Sequence, residues 1–104
     1  MGRRPLNFAS IRQQVKCQRV LSLVDWHPRS VRGGISRGPC PIHGSTYPMS
    51  RVFVTNGQVC YCHKCKWYGD AIDLFARLAS CSKLDAAYAC VALIGGNPDD
   101  YKFR

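Results

Sequence analysis

The sequence predicts a small α+β domain, in which a zinc-ribbon-like antiparallel sheet is flanked by N- and C-terminal helices and stapled by one structural zinc ion. Three observations support this fold class. Two pairs of zinc-ligand residue types are separated by 18 residues, a β-hairpin pattern lies between them, and helical patterns precede and follow them. At 104 residues the chain suits one domain with a modest apolar core, so a bound metal would add needed stability.

The N-terminal helical pattern has a predicted start and a break. Ser10 followed by Gln13 is typical of a capping box, which predicts that the helix begins there. The apolar face shifts near residues 16–18, so one bent helix or two short helices both fit the pattern. Pro28 ends the pattern, because a proline disfavours helical backbone at the preceding residue.

A β-hairpin is predicted in the middle of the chain. Residues 51–55 and 58–61 are rich in β-forming types and are separated by Asn56-Gly57. An Asn-Gly pair supplies the two positive-φ positions of a tight turn. Before this hairpin, the Arg- and Gly-rich stretch contains two successive glycines at 33 and 34, which predict another turn.

Two further helices are predicted after the hairpin. Gly69-Asp70 opens the first, and Asp70 and Asp73 both lie in its first turn, where negative charge suits the positive end of the helix. Ser82 or Lys83 begins the second helix, which ends before Gly95.

We therefore divide the chain into three parts. Residues 1–9 are predicted to be a flexible basic N-terminus, residues 10–96 the zinc-binding domain, and residues 97–104 a frayed tail.

The predicted zinc ligands are Cys40, His43, Cys62 and Cys65. Two residues separate the members of each pair, a spacing that lets both reach one tetrahedral ion. Four protein ligands fill the zinc shell, so the site is structural and no residue is predicted to be catalytic. Cys60 is an alternative to Cys62, since strand alternation puts both on one face, but Cys60 and Cys65 are too widely spaced.

The remaining cysteines and histidines have ordinary structural explanations. Cys17, Cys81 and Cys90 fall on helical stretches and are predicted to be core residues. His63, inside the second ligand pair, and His27, before a proline, are predicted to face solvent.

The charge of the chain indicates an anionic partner. Fifteen Lys and Arg oppose six acids, for a net charge of +9, and ten of the fifteen are Arg. Guanidinium groups pair with phosphate and stack on bases, which favours nucleic acid over a merely solubilising surface. The sequence shows no export signal and no apolar run that would span a membrane. We therefore expect a cytoplasmic location, reduced thiols and no membrane partner.

The metal-ligand region resembles the N-terminal zinc-binding domain of bacterial and phage-type DNA primases. The matching segments are Ile11-Arg12, Cys40-Pro41-Ile42-His43-Gly44, Pro48, Tyr61-Cys62 with Cys65, and Gly69-Asp70-Ala71-Ile72-Asp73-Leu74. The resemblance covers residues 11–94. The chain departs from the family at residues 47–50, where the family has Thr-Pro-Ser-Phe, and at residues 66–68, where the family has small residues. The acidic catalytic domain of a primase is absent from these residues, so this chain alone should not synthesise primers.

The resemblance implies that the domain binds single-stranded DNA template during priming, beside a primase catalytic subunit or a helicase, with no small-molecule substrate. Cations and aromatics around the second ligand pair agree with this role, because bases stack on aromatic rings while cations hold the backbone. The candidate contacts are Arg51, Lys64, Lys66, Trp67 and Tyr68. For Phe53 and Tyr61, packing into the core is the alternative, and we favour it for Phe53.

Two other functions are open at this point. One is a zinc-stabilised adaptor for a helicase or polymerase core, which would use apolar residues of the last helix between Leu84 and Ile94. The other is a thiol switch at Cys60, Cys62 and Cys65, which is disfavoured because zinc-bound thiolates are usually protected.

Overall fold

Antiparallel pairing between successive strands builds one five-stranded sheet, in the order β1-β2-β3-β4-β5. The computed structural model describes residues 6–42 and 52–102, and all structural statements concern these residues. The strands are β1 Ser30–Arg32, β2 Ile35–Gly38, β3 Phe53–Thr55, β4 Val59–Cys62 and β5 Trp67–Asp70. The helices are α1 Phe8–Gln14, α2 Cys17–Leu21, α3 Ala71–Ala79 and α4 Lys83–Leu93, with 3-10 turns at Ser22–Val24 and Pro98–Tyr101. The predicted α+β class, with an antiparallel sheet flanked by helices, is confirmed.

The N-terminal helical region consists of two short helices, one of the two predicted forms. The predicted start at Ser10 was wrong, because Asn7 is the N-cap and its side chain accepts a hydrogen bond from the Ser10 N–H. Asparagine satisfies a free helix N–H as well as serine does, so the capping-box pattern placed the start of the helix three residues too late. The break after α1 lets the Cys17 N–H donate to the Gly57 carbonyl at 2.8 Å, which ties α2 to the hairpin.

The two ends of the described chain meet. Leu6 is buried and forms an isolated antiparallel bridge with Lys102, and the Asn7 N–H donates to the Tyr101 carbonyl. This contact joins segments that the sequence analysis assigned to a flexible N-terminus and a frayed tail. Both segments of this contact therefore lie outside the limits predicted for the domain, residues 10 and 96.

The central hairpin forms as predicted, but its turn lies one residue further along. Thr55 pairs with Cys60, and Gly57 has a φ of 96° whereas Asn56 is not among the residues of positive φ. The Asn56 side chain instead accepts hydrogen bonds from the N–H groups of Gln58 and Val59 at 2.9 and 3.0 Å. Asparagine therefore closes the turn through its side chain, and the glycine alone supplies the left-handed backbone.

Strands β1, β2 and β5 were not predicted from the sequence. The turn predicted at the two glycines is present, with φ of 59° at Gly33 and 78° at Gly34, but its flanking strands of three and four residues are too short to show a period. Strand β5 directly precedes α3, where the Asp70 pattern had indicated only the helix start.

The sheet has one face against the helices and one that is more exposed. Phe53, Cys60 and Cys62 lie on the covered face among residues of all four helices. Phe53 is fully buried, as predicted, and its ring meets the ring of Trp26 edge-on at 5.9 Å. We call the other face the open face; the residues in register across it from β2 to β5 are Arg37, Val54, Tyr61 and Tyr68.

Helix α3 begins at a reciprocal cap between two aspartates. The Asp73 N–H donates to Oδ1 of Asp70 at 2.9 Å, and the Asp70 N–H donates to Oδ2 of Asp73 at 3.1 Å. Arg12 of α1 lies 3.5 Å from the Asp70 carboxylate. Burial raises the pKa of Asp73, but the Asp70 N–H and Lys83 lower it by more, so Asp73 stays ionised in its cap.

We expect Asp70→Ala to lower the free energy of unfolding by about 0.5–2 kcal/mol, because it removes the cap of α3. Urea denaturation at saturating zinc would measure the loss. Asp85→Ala is the matched control, since Asp85 lies in the first turn of α4 and is exposed. Its effect should stay within about 0.5 kcal/mol. Equal losses in the two variants would contradict a specific role for the cap.

Candidate metal centre

Three cysteines from two parts of the sheet converge at one end of its strands. Cys62 is the last residue of β4, Cys65 lies in the turn to β5, and Cys40 follows β2 two residues after its end. The Trp26 indole N–H donates to the carbonyl of Pro39, which fixes the backbone directly before Cys40. The turn between β4 and β5, residues 63–66, is called the knuckle below.

The sulfur geometry fits a tetrahedral metal ion. The three Sγ atoms lie within 4.8 Å of one another, and those of Cys40 and Cys65 are 3.9 Å apart. Zinc–sulfur bonds of about 2.3 Å in a tetrahedron place sulfurs about 3.8 Å apart. The cluster could therefore hold one metal ion, and thiolate ligands are consistent with zinc.

The predicted fourth ligand, His43, lies outside the described residues, so its place in the site stays a prediction. The alternative ligand Cys60 does not join the cluster. Its sulfur lies 3.7 Å from that of Cys17 in the core, where the Cys17 thiol donates to it, and its own thiol faces the Gly69 carbonyl at 3.5 Å. Cys60 and Cys62 share a face, as alternation predicted, but Cys62 is the one that lies with Cys65.

The surroundings of Cys62 and Cys65 shift the pKa values of these two thiols in opposite directions. Burial raises the pKa of Cys62, but the Cys65 N–H, which donates to its Sγ at 3.3 Å, and the neighbouring thiols together bring it below the usual range. Partial desolvation, followed by the hydrogen bond shared with Cys62, raises the pKa of Cys65. Cys62 therefore ionises more readily than Cys65, and a metal ion would favour the thiolate form of all three ligands.

The other thiols belong to the core, with one exception. Cys17 and Cys90 are buried, as predicted, and desolvation raises the pKa of Cys90 to about 12. The hydrogen bond that Cys60 shares with Cys17, in which Cys60 keeps its proton, raises the pKa of Cys60 well above its usual range, and burial adds to this. Cys81 was predicted to be a helical core residue, but it is half-buried in the connection between α3 and α4. A serine lies on each side of this cysteine: Ser80 is the C-cap of α3, and Ser82 is the N-cap of α4.

The predicted nucleic-acid contacts divide between the knuckle and the sheet. Lys64 and Lys66 are exposed in the knuckle, and Lys66 has a left-handed φ of 55°. Tyr68 is 66% exposed on the open face. Trp67 is half-buried on the covered side, where its ring lies over Gly69, and its predicted contact with DNA stays a prediction. Arg51 lies outside the described residues.

The structure adds two residues to these candidates. Tyr61, which the sequence left between core and surface, is half-exposed beside Tyr68, and the exposed His63 ring meets it edge-on at 4.8 Å. Arg37 stands in the same cross-strand row, at the β2 end, and the sequence analysis did not single it out. Only the strand register shows that Arg37 and Tyr61 are in one row, because Arg37 lies 24 residues before Tyr61 in the sequence.

The acids lie mainly away from this row. Asp73 and Asp99 pair with Lys83 and Lys102 in the helical part of the molecule. Asp25 pairs with His27, which is exposed as predicted. Within the described residues, the cations of the open face and the knuckle make no ion pair; these are Arg32, Arg37, Lys64 and Lys66.

Comparison with known proteins identifies no relative: no family model, curated protein or solved structure matches this chain. The resemblance to primase zinc domains accordingly stays a hypothesis. Within residues 6–42 and 52–102, none of the helices has the length and apolar character needed to cross a bilayer.

We expect Cys62→Ser and Cys65→Ser each to abolish stoichiometric zinc binding, because each removes one thiolate of the cluster. Native mass spectrometry and a chromogenic zinc assay would count the ions. Zinc removal should also unfold the domain, since such sites contribute on the order of 10 kcal/mol.

Cys81→Ser is the matched control and should retain one zinc ion per chain. His43→Ala tests the predicted fourth ligand and should weaken binding. Full retention of zinc by Cys62→Ser, or its loss from Cys81→Ser, would show that the cluster is not the metal site.

Proposed function

We propose that this chain is a zinc-stabilised, primase-type module that binds single-stranded DNA template in replication, with no polymerase centre of its own. The observation that carries the proposal is the composition of the open face. Tyr61 and Tyr68 are directly paired across β4 and β5, and the knuckle that joins these strands presents Lys64 and Lys66.

Paired tyrosines on a sheet suit unpaired bases. Residues directly opposite in an antiparallel pair have Cβ atoms about 4.5–5.5 Å apart, so the two rings form one continuous surface. Bases of any sequence can stack on such rings, for about 1–3 kcal/mol each, whereas the bases of a duplex are already stacked on one another. The open face therefore favours single strands.

The knuckle supplies charge next to the rings. Lys64 and Lys66 have no acidic partner among the described residues, so both ammonium groups are available to phosphates. A metal ion held by Cys62 and Cys65 would fix the turn that carries them, which reduces the ordering cost of binding. In this proposal zinc acts only on shape and stability.

The resemblance to primase zinc domains supports the same function, because the motif that carries it includes the three converging cysteines. It adds the expectation of a cytoplasmic protein that works with a primase catalytic subunit or a helicase. We propose these partners on the resemblance alone.

A protein-interaction adaptor is the second candidate, and one observation favours it. Leu23 and Val24 are exposed beside α3, where they border an apolar groove of about 160 Å³ lined also by Val20, Phe75, Leu78 and Ala79. Helix α4, which the sequence suggested for this role, instead turns most of its apolar residues into the core. A partner retained at high salt would favour the adaptor, since phosphate contacts weaken with salt.

We expect zinc-loaded protein to bind labelled single-stranded oligonucleotides more tightly than duplexes of the same sequence, with affinity falling steeply as salt rises. Tyr68→Ala should weaken binding by about 1–3 kcal/mol with little loss of stability, because the ring is exposed. Lys64→Gln/Lys66→Gln should weaken binding and lower the salt slope by about 1.4, at about 0.7 per phosphate contact. Fluorescence anisotropy across a salt series measures both effects.

Lys83→Gln/Lys102→Gln is the matched control, since it removes the same charge from the helical part of the molecule. It should lower the salt slope far less than the knuckle variant does. Failure of the folded, zinc-loaded protein to bind any oligonucleotide at low salt would refute the proposed function.

A further inference from the structure

The β1–β2 hairpin forms a basic extension at the edge of the sheet opposite to β5. We call residues 29–38 the arm. It carries Arg29, Arg32 and Arg37, all exposed, and no acid. Val31, at the outermost strand, is 65% exposed. The net charge of +3 on ten residues gives the arm a positive potential that the metal centre does not explain.

Strand register places two of these arginines on the open face. Arg37 is opposite Val54, which is opposite Tyr61, and that residue is opposite Tyr68. Directly paired residues point to the same side of a sheet, so Arg37 continues the row of the two tyrosines.

Arg32 is next to this row. It pairs with Ile35, two residues before Arg37 on β2, and therefore lies diagonal to Arg37 on the same face. Diagonal neighbours across a sheet are about 7–8 Å apart, within reach of long side chains. The arm surrounds an open groove of about 590 Å³ lined by Ser30, Val31, Arg32, Ile35 and Arg37.

The two guanidinium groups are available to a ligand. Neither makes an ion pair or a side-chain hydrogen bond with any residue that the structure describes. By contrast, Arg12 and Arg19 of the helical part contact Asp70 and the Leu93 carbonyl. Arginine forks match the geometry of phosphate oxygens, and the chemistry of the arm is thus that of a backbone-binding site.

We propose that Arg32 and Arg37 form a second phosphate-binding site, which holds the same DNA strand that the knuckle and the tyrosines bind. The strand crosses the sheet from the knuckle to the arm. Five strands spaced by about 4.8 Å span about 19 Å, which accommodates up to about six nucleotides at about 3.4 Å each.

One feature favours nucleic acid over a peptide added to the edge of β1. The side chains of Arg32 and Arg37 lie on the open face, which also carries Tyr61 and Tyr68, and not along the free edge of β1. This inference rests on the proposed function, because it extends the path of the strand that the tyrosines bind.

The test compares Arg32→Gln/Arg37→Gln with the wild-type protein, both zinc-loaded, on oligothymidylates of about 4 and about 16 nucleotides. For the long strand we expect the salt slope of the variant to be lower than that of the wild-type protein by about 1.4. Over the decade between 1 M and 0.1 M salt, this difference makes the affinity of the variant about 25-fold lower than that of the wild-type protein. For the short strand, which occupies the tyrosines and the knuckle, affinity should change less than twofold. Fluorescence anisotropy gives both affinities.

Arg12→Gln/Arg19→Gln removes the same charge from the helical part and should leave the long-strand slope nearly unchanged. Arg32→Lys/Arg37→Lys should restore the slope, because lysine keeps the charge. Zinc content and thermal melting show that each variant is folded. An unchanged slope on the long strand, or an equal loss on both strands, would overturn the arm site while the proposed function stands. Absence of wild-type binding to either strand would overturn both.

Discussion

The convergence of three thiols determines the geometry on which the rest of the protein depends. Cys40 comes from the end of β2, whereas Cys62 and Cys65 bracket the turn from β4 to β5. A metal ion bound by these sulfurs would therefore tie the C-terminal ends of β2 and β4 and the start of β5 together at one end of the sheet. In a chain of 104 residues, with short strands and a modest core, a bound ion would have a large effect on which arrangement of the strands is stable.

The two faces of the sheet differ in burial and composition. Its covered face receives Phe53 and the paired thiols of Cys17 and Cys60, so the helices are attached there. Among the described residues the other face is the more exposed one, so tyrosines and arginines can occupy it without weakening the core. The acids follow the same division, since capping places Asp70 and Asp73 at the start of α3. Charge separation between the two sides is thus a consequence of helix capping as well as of composition.

The sequence predicted those features that depend on local chemistry. The start of a helix near Asp70, the central hairpin, the burial of Phe53 and the grouping of three cysteines all follow from neighbouring residues or fixed spacings. The missed features depend on distant pairing. Strands of three or four residues have no readable period, and the alignment of Arg37 with Tyr68 requires a register set by four strands. The bridge between Leu6 and Lys102 is equally invisible, because its partners are almost the whole chain apart.

The left-handed backbone of Lys66 has a consequence for how this surface is maintained. A residue with a side chain at φ 55° costs about 1–2 kcal/mol relative to glycine, which adopts that conformation freely. The protein thus keeps a long cation at the position where its own turn would favour no side chain at all. Stability and charge are in opposition at this residue: glycine would relax the turn but would remove the ammonium group from the knuckle.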